Sequence, residues 1–471
     1  MIKRIIDIFA NKLLFTCVLI VTFLLDTILL IHDYTGPLLK LFIVWGTLII
    51  IWEFFYRKQL WNTKNLKWLI FFGASYLITT LINSRSYLGD NLKILAYMMI
   101  FFIVLYGHNQ AKTMEKWKKQ IRTIMLVYFW TATILAIICF ITFLFSINHE
   151  ILTRDGYMHT GMYDNRLWGL YNPNAGACIN VVAIFFAIGI GTSLEKKYLY
   201  KKIVLAIASI IHYMCLLLTS SRAALYSFVL GAGILFFLFL NTRSKTALTK
   251  SKKVILKNVL LAVTVIVALY GVESPIKQVV SYIPGCIKMV CSGEDKAEEI
   301  EKVELTRKEE LENRDGGILT GRAYLWKAGL KALEQSPLFG ISKAATYDYS
   351  KEYIEDPQWL EHLEVSLHSV YITVLVASGW IGFVLFVIFL LKNILPMIRV
   401  ALFHNNDDNY MIYASCIVVV ACLLIIELVE ARIIYRTEVF NVIFWAICGF
   451  AYNYVEIINI LDDKGEVNGA S

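Results

Sequence analysis

The sequence predicts an all-α polytopic membrane protein of about twelve transmembrane helices, with a large extracytoplasmic loop between the ninth and the tenth. Three observations predict it. The chain is 58% hydrophobic and only 17% charged, whereas a soluble domain is roughly 45–50% apolar and 25% charged. Apolar runs of about 20 residues, the helix length that crosses a ~30 Å hydrocarbon layer, recur along it. Its basic residues gather in alternate connections between those runs.

Taken in order, the predicted spans are 12–31, 38–56, 66–82, 92–107, 121–146, 175–193, 203–219, 222–240, 254–273, 367–391, 410–429 and 436–457. The organisation is then residues 1–273 with helices one to nine and an outer loop at 147–174; an extracytoplasmic loop at 274–366; and residues 367–471 with helices ten to twelve and a cytoplasmic C-terminal tail. The first run is too long for a signal-peptide core and has no small-residue cleavage site, so it stays as helix one.

One set of connections holds Lys3, Arg4 and Lys12; Arg57, Lys58, Lys64 and Lys67; Lys112, Lys116, Lys118 and Lys119; Lys196, Lys197, Lys201 and Lys202; Arg243, Lys245, Lys250, Lys252 and Lys253; and Lys392 and Arg399. By the positive-inside rule these are cytoplasmic, which puts both termini inside. The other connections carry few basic residues, among them Arg85, Arg166, Arg222, Arg432 and Arg436, and the long loop shares their side. The formal charge of +8 is thus a topology signal, and lysines spread over so many loops argue against nucleic acid binding.

Two segments interrupt the rhythm of helix and short loop. Residues 147–174, dense in Gly, Asn, Asp and aromatics, read as a folded, turn-rich cap. Within 274–366, the stretch 294–314 has mixed charges at helical spacing and reads as a solvated helix. An amphipathic helix follows, with Thr320 as N-cap, Leu325, Trp326, Leu330 and Leu333 on its apolar side, and a stop at Ser336-Pro337 and Gly340. Such a helix is expected to lie along the interface and roof the bundle. Seven of the nine cysteines fall within spans; Cys286 and Cys291 lie in the outer loop, where they are either bonded or free.

Candidate chemistry gathers on the outer side. His368 opens the tenth span, and a neutral imidazole there can take a proton from a hydroxyl near neutral pH; interfacial hydrogen bonding is the plainer alternative. Arg222, in the turn Thr219-Ser220-Ser221-Arg222, is either a phosphate-binding fork or a snorkelling interface residue. Arg322 is in the first turn of the amphipathic helix, where the helix N-terminus also favours an anion; alone it reads as a solvated arginine. Asp26, His212 and Glu427 fall within spans and are suspects by position, with structural pairing at least as good an account. There is no HExxH, CxxC pair, Walker loop or dinucleotide fingerprint, which disfavours a zinc protease, a redox enzyme and an ATPase.

Three motifs occur in order on this side: Ser220-Ser221-Arg222-Ala223; Gly321-Arg322-Ala323-Tyr324-Leu325-Trp326 followed by Pro337-Leu338-Phe339-Gly340; and His368-Ser369 followed, after nine residues, by Gly379 and Gly382. Together with Asn172-Pro173-Asn174 before the sixth span, they resemble the O-antigen ligase and Wzy-type O-antigen and capsular polysaccharide polymerase superfamily of bacteria, over about residues 165–385. The resemblance implies a membrane glycosyltransferase in the cytoplasmic (inner) membrane with an extracytoplasmic active site. It implies no cofactor and no metal, an undecaprenyl-pyrophosphate-linked oligosaccharide as donor, and a glycan acceptor.

Carried onto this chain, the resemblance makes His368 the base and Arg222 and Arg322 the pyrophosphate-binding arginines. Arg166, Asn172, Asn174 and Ser369 are further candidates for sugar or phosphate contacts, with helix capping the favoured role for the asparagines. The first outer loop, His32-Asp33-Tyr34, lacks the paired acids of metal-dependent lipid-linked glycosyltransferases. The leading expectation is polymerisation of lipid-linked repeat units into O-antigen, capsule or exopolysaccharide, with a chain-length regulator and a flippase as partners beside the lipid bilayer. A ligase that moves finished glycan to a lipid, wall or protein acceptor is the alternative within the superfamily. A polysaccharide or lipid-linked sugar transporter is the alternative from another class, although its charges should line a path through the membrane.

Overall fold

The structure is a computed structural model and describes residues 8–57, 63–83, 85–108, 113–153, 156–243, 252–292, 301–305, 321–354, 357–404 and 409–463. Its helices are α1 (Lys12–Asp26), α2 (His32–Trp52), α3 (Leu66–Asn83), α4 (Leu88–Ile100), α5 (Met114–Leu144), α6 (Pro173–Thr192), α7 (Leu199–Leu218), α8 (Arg222–Arg243), α9 (Lys252–Gly271), α10 (Glu273–Val280), α11 (Ile283–Ser292), α12 (Arg322–Leu333), α13 (Thr346–Ser350), α14 (Gln358–Val365), α15 (Val370–Phe403), α16 (Tyr410–Ile426) and α17 (Val439–Asp463). The predicted all-α polytopic class holds. Apolar side chains leave lipid or core no means of satisfying backbone groups, so each segment closes its hydrogen bonds within itself.

Among the described residues, ten helices are long and apolar enough to cross a membrane. Two predicted spans are shorter: α1 has 15 residues and ends at Asp26, and α16 has 17. Both pack among the long helices, α16 between α6 and α8. Helices α6 and α17 are central and mostly enclosed by protein, whereas α9 is peripheral.

The connections sort to two ends of the bundle. At one end Leu29 N–H donates to Leu170 O, Arg166 Nε to Thr219 O, Val370 N–H to Glu427 O and Arg322 Nε to Val429 O. At the other, Lys12 Nζ reaches Gly107 O and Glu53, Asn65 Nδ2 reaches Lys392 O, and His404 pairs with Asp462. The two sets are those that charge alternation separated in the sequence.

Three expectations are corrected. The 147–174 cap is a three-stranded antiparallel sheet, β1 (His149–Thr153), β2 (Gly156–Tyr163) and β3 (Arg166–Gly169), in the order β1-β2-β3 with a bulge at Gly161/Met162. Its turn residues masked the β-forming stretches between them. Helix α12 is capped by Gly321; Thr320 lies outside the described residues. Gly321 has φ 72°, and a Cβ there would stand 1.9 Å from the Trp359 ring, so the backbone passes where only glycine fits. Leu330 is exposed, while Leu325, Ala328, Gly329, Ala332 and Leu333 form the buried face. That face packs on α15 beside Leu367 and Val376, so small residues admit the close approach. Of the charged stretch 294–314, only 301–305 are among the described residues.

The proline-glycine turn after α12 explains the glycines of α15. Gly379 has φ 63° and ψ −172°, which kinks α15 and frees backbone groups. The 337–342 segment satisfies them: Trp380 N–H donates to Pro337 O (2.9 Å), Ile381 N–H to Leu338 O (3.1 Å), Ile341 N–H to Val376 O (3.0 Å) and Ser342 N–H to Ala377 O (3.1 Å). Two motifs forty residues apart in sequence therefore form one joint. It holds the connection from α12 to α13 against the first turns of α15, which begin two residues after His368.

Candidate functional site

His368 stands between α14 and α15 with φ 48°, a left-handed conformation uncommon for residues with a Cβ, although asparagine, aspartate and histidine enter it more often than the rest. Its N–H donates to Ser366 Oγ (3.0 Å), and the carbonyl of the next residue, Ser369, accepts from Thr373 N–H (2.9 Å) as α15 begins. Ser369 is buried, and its side chain caps no helical N–H. The imidazole lies 6.2 Å from the His362 ring, and neither of its nitrogens makes a hydrogen bond among the described residues.

What faces it is Glu430, in the connection between α16 and α17. Glu430 Oε2 is 3.7 Å from His368 Nδ1 and 3.5 Å from Arg432 Nε, while Oε1 is 3.4 Å from an Arg322 terminal nitrogen. Oε1 also accepts from Asn174 Nδ2 (3.2 Å). The carboxylate is almost wholly buried. Burial pushes it up, but Arg432, His368 and Arg322 outweigh that and bring it down to about 2. It is therefore an anion at any physiological pH. At 3.7 Å the contact with His368 is an ion-pair distance, long for a hydrogen bond, and such contacts commonly tighten in a substrate complex.

The ion pairs continue. Arg432 donates to Glu438 (2.9 Å), which also pairs with Arg436 (2.8 Å). The guanidiniums of Arg322, Arg432 and Arg436 thus stand against Glu430 and Glu438 beside the imidazole. Glu427 supports this connection from beneath. Its carboxylate accepts from the backbone N–H groups of Arg432 (2.7 Å) and Ile433 (3.3 Å), so it orders the loop.

The remaining predicted residues divide. Asn174 and Arg166 join the cluster: Arg166 donates to Asn174 Oδ1 (2.8 Å) and to Thr219 O (2.8 Å). Asn172 caps α6, its side chain accepting from Asn174 N–H (3.0 Å). Arg222, the first residue of α8, instead lines a neighbouring cavity of about 540 Å3 with Lys277, Lys302, Glu273 and Glu304. Its turn is joined to the His368 cluster by way of Thr219, Arg166 and Asn174. Asp26 accepts from Thr35 and faces His32, and His212 is buried between Asn180 and Thr133; neither belongs to the cluster. Cys286 and Cys291 are free thiols on α11, five positions apart.

Sequence reasoning missed Glu430 and Glu438. The available signal was the density of charge in a short connection between two highly apolar helices, where Glu430, Arg432, Arg436 and Glu438 lie within nine residues. Charges there are costly unless they answer one another or a ligand.

The fold and this cluster define a multi-pass, all-α membrane protein with a buried, charge-dense site at one end of its bundle. Residues 203–387 match the family model described as O-antigen ligase, which agrees with the resemblance that the motifs carry. The match supports a ligase- or polymerase-type glycosyltransferase activity. It spans Arg222, Arg322, His368 and Ser369 and leaves out Arg166, Asn174 and Glu430. No curated protein matches the chain.

Proposed function

We propose that the protein transfers an oligosaccharide from an undecaprenyl-pyrophosphate carrier to a glycan hydroxyl, and so polymerises repeat units of a surface polysaccharide. The observation that carries this reading is that His368 and Arg322, distant in sequence, meet at a single buried carboxylate, Glu430. The end of the bundle that bears the cluster faces outward in this reading, and both termini face the cytoplasm, because the lysine-rich connections lie at the opposite end.

The acceptor oxygen bonds to the anomeric carbon as the bond from that carbon to the pyrophosphate oxygen breaks, and the electron pair leaves with the pyrophosphate. His368 takes the hydroxyl proton on Nε2, the nitrogen that does not face Glu430. The Glu430 carboxylate stabilises the imidazolium as it forms, a term worth more in a buried site than in water. Arg322, fixed by Val429 O (2.9 Å), and the guanidinium of Arg432 beside it stabilise the departing pyrophosphate more than the bound donor. Arg222 and its cavity are a second anion site, for the phosphate next to the carrier's lipid chain. No metal is called for by this scheme, and a flippase and a chain-length regulator are the expected partners.

A ligase reading has one specific support, the description of the matching family. One experiment separates them: purified protein with a synthetic undecaprenyl-pyrophosphate-linked repeat unit, no nucleotide sugar and excess chelator. A ladder of products that disappears in His368→Ala supports the polymerase. Donor left intact until a separate acceptor is added supports the ligase. Full ladder length in His368→Ala removes the imidazole from the mechanism.

A further inference from the structure

The Arg432–Glu438–Arg436 ion pairs lead from His368 to a second cavity, of about 470 Å3, between α4, the segment after α12 and the connection before α17. Its volume falls in the roughly 300–1,000 Å3 range of small-molecule sites. Lys343 reaches it from the segment docked on the Gly379 kink. The backbone there is held: Lys343 N–H donates to Tyr76 Oη (3.3 Å) and Ala344 N–H to Asn91 Oδ1 (3.2 Å), directly after Ser342 in the left-handed conformation.

The Lys343 ammonium has no carboxylate partner among the described residues. Half-buried, with Arg436 nearby, it is pushed down to about 8. Lys93, exposed on α4, adds a second cation to the lining without an ion-pair partner among the described residues. An anion is what these groups lack.

The kind of anion follows from the rest of the lining. Asp26, Asp90 and Glu438 border the same cavity, so a diphosphate of two or three negative charges would meet repulsion beside its attraction. A group with one negative charge and several hydroxyls meets less of that conflict: the carboxylate pairs with Lys343, the hydroxyls bond to the acidic side chains, and Tyr347 supplies an aromatic wall. Sugar acids have that composition.

We propose that this cavity is a saccharide subsite that takes a carboxylate-bearing sugar residue of the glycan, with Lys343 as its acid-reading group. The proposal rests on the glycan-transfer reading above for the origin of the ligand, but it is tested without turnover. Ligand-observed NMR on the purified protein in nanodiscs would titrate glucuronate, galacturonate and N-acetylneuraminate, each beside neutral glucose and galactose. The expected result is saturable binding of at least one sugar acid to wild type and to His368→Ala, weakened tenfold or more in Lys343→Gln, retained in Lys343→Arg and reduced by Lys93→Gln.

Equal binding of acidic and neutral sugars, no binding of any sugar acid, or affinity unchanged in a folded Lys343→Gln overturns the proposal. So does displacement by inorganic pyrophosphate at lower concentration than by the sugar acid, which would make this a phosphate site. Lys93→Gln keeps the test open if Lys343→Gln does not fold, because Lys93 is exposed on α4. Binding of a sugar acid together with failure of the carrier assay would leave the subsite standing and remove only the transfer reaction.

Discussion

Replacing Glu430 by glutamine keeps the shape of the side chain and removes the charge on which His368, Arg322 and Arg432 converge. Its fall from the ordinary 4.5 to about 2 corresponds to about 3 kcal/mol of preference for the charged form in the folded protein. Because the folded value is depressed, this stabilisation is fully present above about pH 4.5 and is lost as pH falls through about 2. Near pH 3 about 1.4 kcal/mol of it remains. The thermal midpoints of wild type and Glu430→Gln, measured in the same detergent from pH 7 to pH 3, should therefore differ most at pH 7 and converge as the solution is acidified. Turnover at pH 7 should also fall, since the imidazolium loses its counter-charge. Equal midpoints at pH 7, or a gap that does not narrow toward pH 3, would refute the assignment of Glu430 as the shared anion of the cluster.

Two other outcomes follow from the geometry. Gly379→Ala places a Cβ 2.3 Å from Leu338 O at a φ/ψ pair suited only to glycine, so it should cost at least ~1–3 kcal/mol and lower the thermal midpoint; an unchanged midpoint would show that the 337–342 segment does not dock there. Arg166→Ala removes both the bond to Thr219 O and the bond to Asn174, each charge-assisted and worth about 1.5–3 kcal/mol. Turnover should drop with normal membrane insertion, Arg166→Lys should fail to restore it because a single ammonium cannot reproduce the fork, and wild-type turnover in either variant would break the proposed link between the Arg222 turn and His368.

The residues of the candidate site were legible to different degrees. His368, Arg322 and Asn174 could be picked out because each sits where a helix begins, a position that sequence pattern locates well. Arg222 was legible for the same reason, yet the structure sets it in a cavity of its own beside Lys277, and no spacing rule separates two neighbouring outer pockets. Glu430 was missed because an acidic residue in a short loop reads as solvated; only the arrival of α12 and α15 over that loop buries it. The sheet at 149–169 was missed because its glycines and asparagines read as turns, while its pairing depends on partners up to eleven residues away.

What the sequence determined by itself is the polytopic class, the place of nearly every span and the partition of the loops between two ends. These depend on local composition, since a run of about 20 apolar residues has no stable alternative to a helix in lipid. The tertiary structure decided which charges face each other: that Arg322 and His368 share Glu430, that the Pro337–Gly340 turn seats on the Gly379 kink, and that Lys343 borders a second cavity. Those outcomes are set by the packing of helices far apart in the chain, where ångström-scale positions rather than composition fix whether two charges meet.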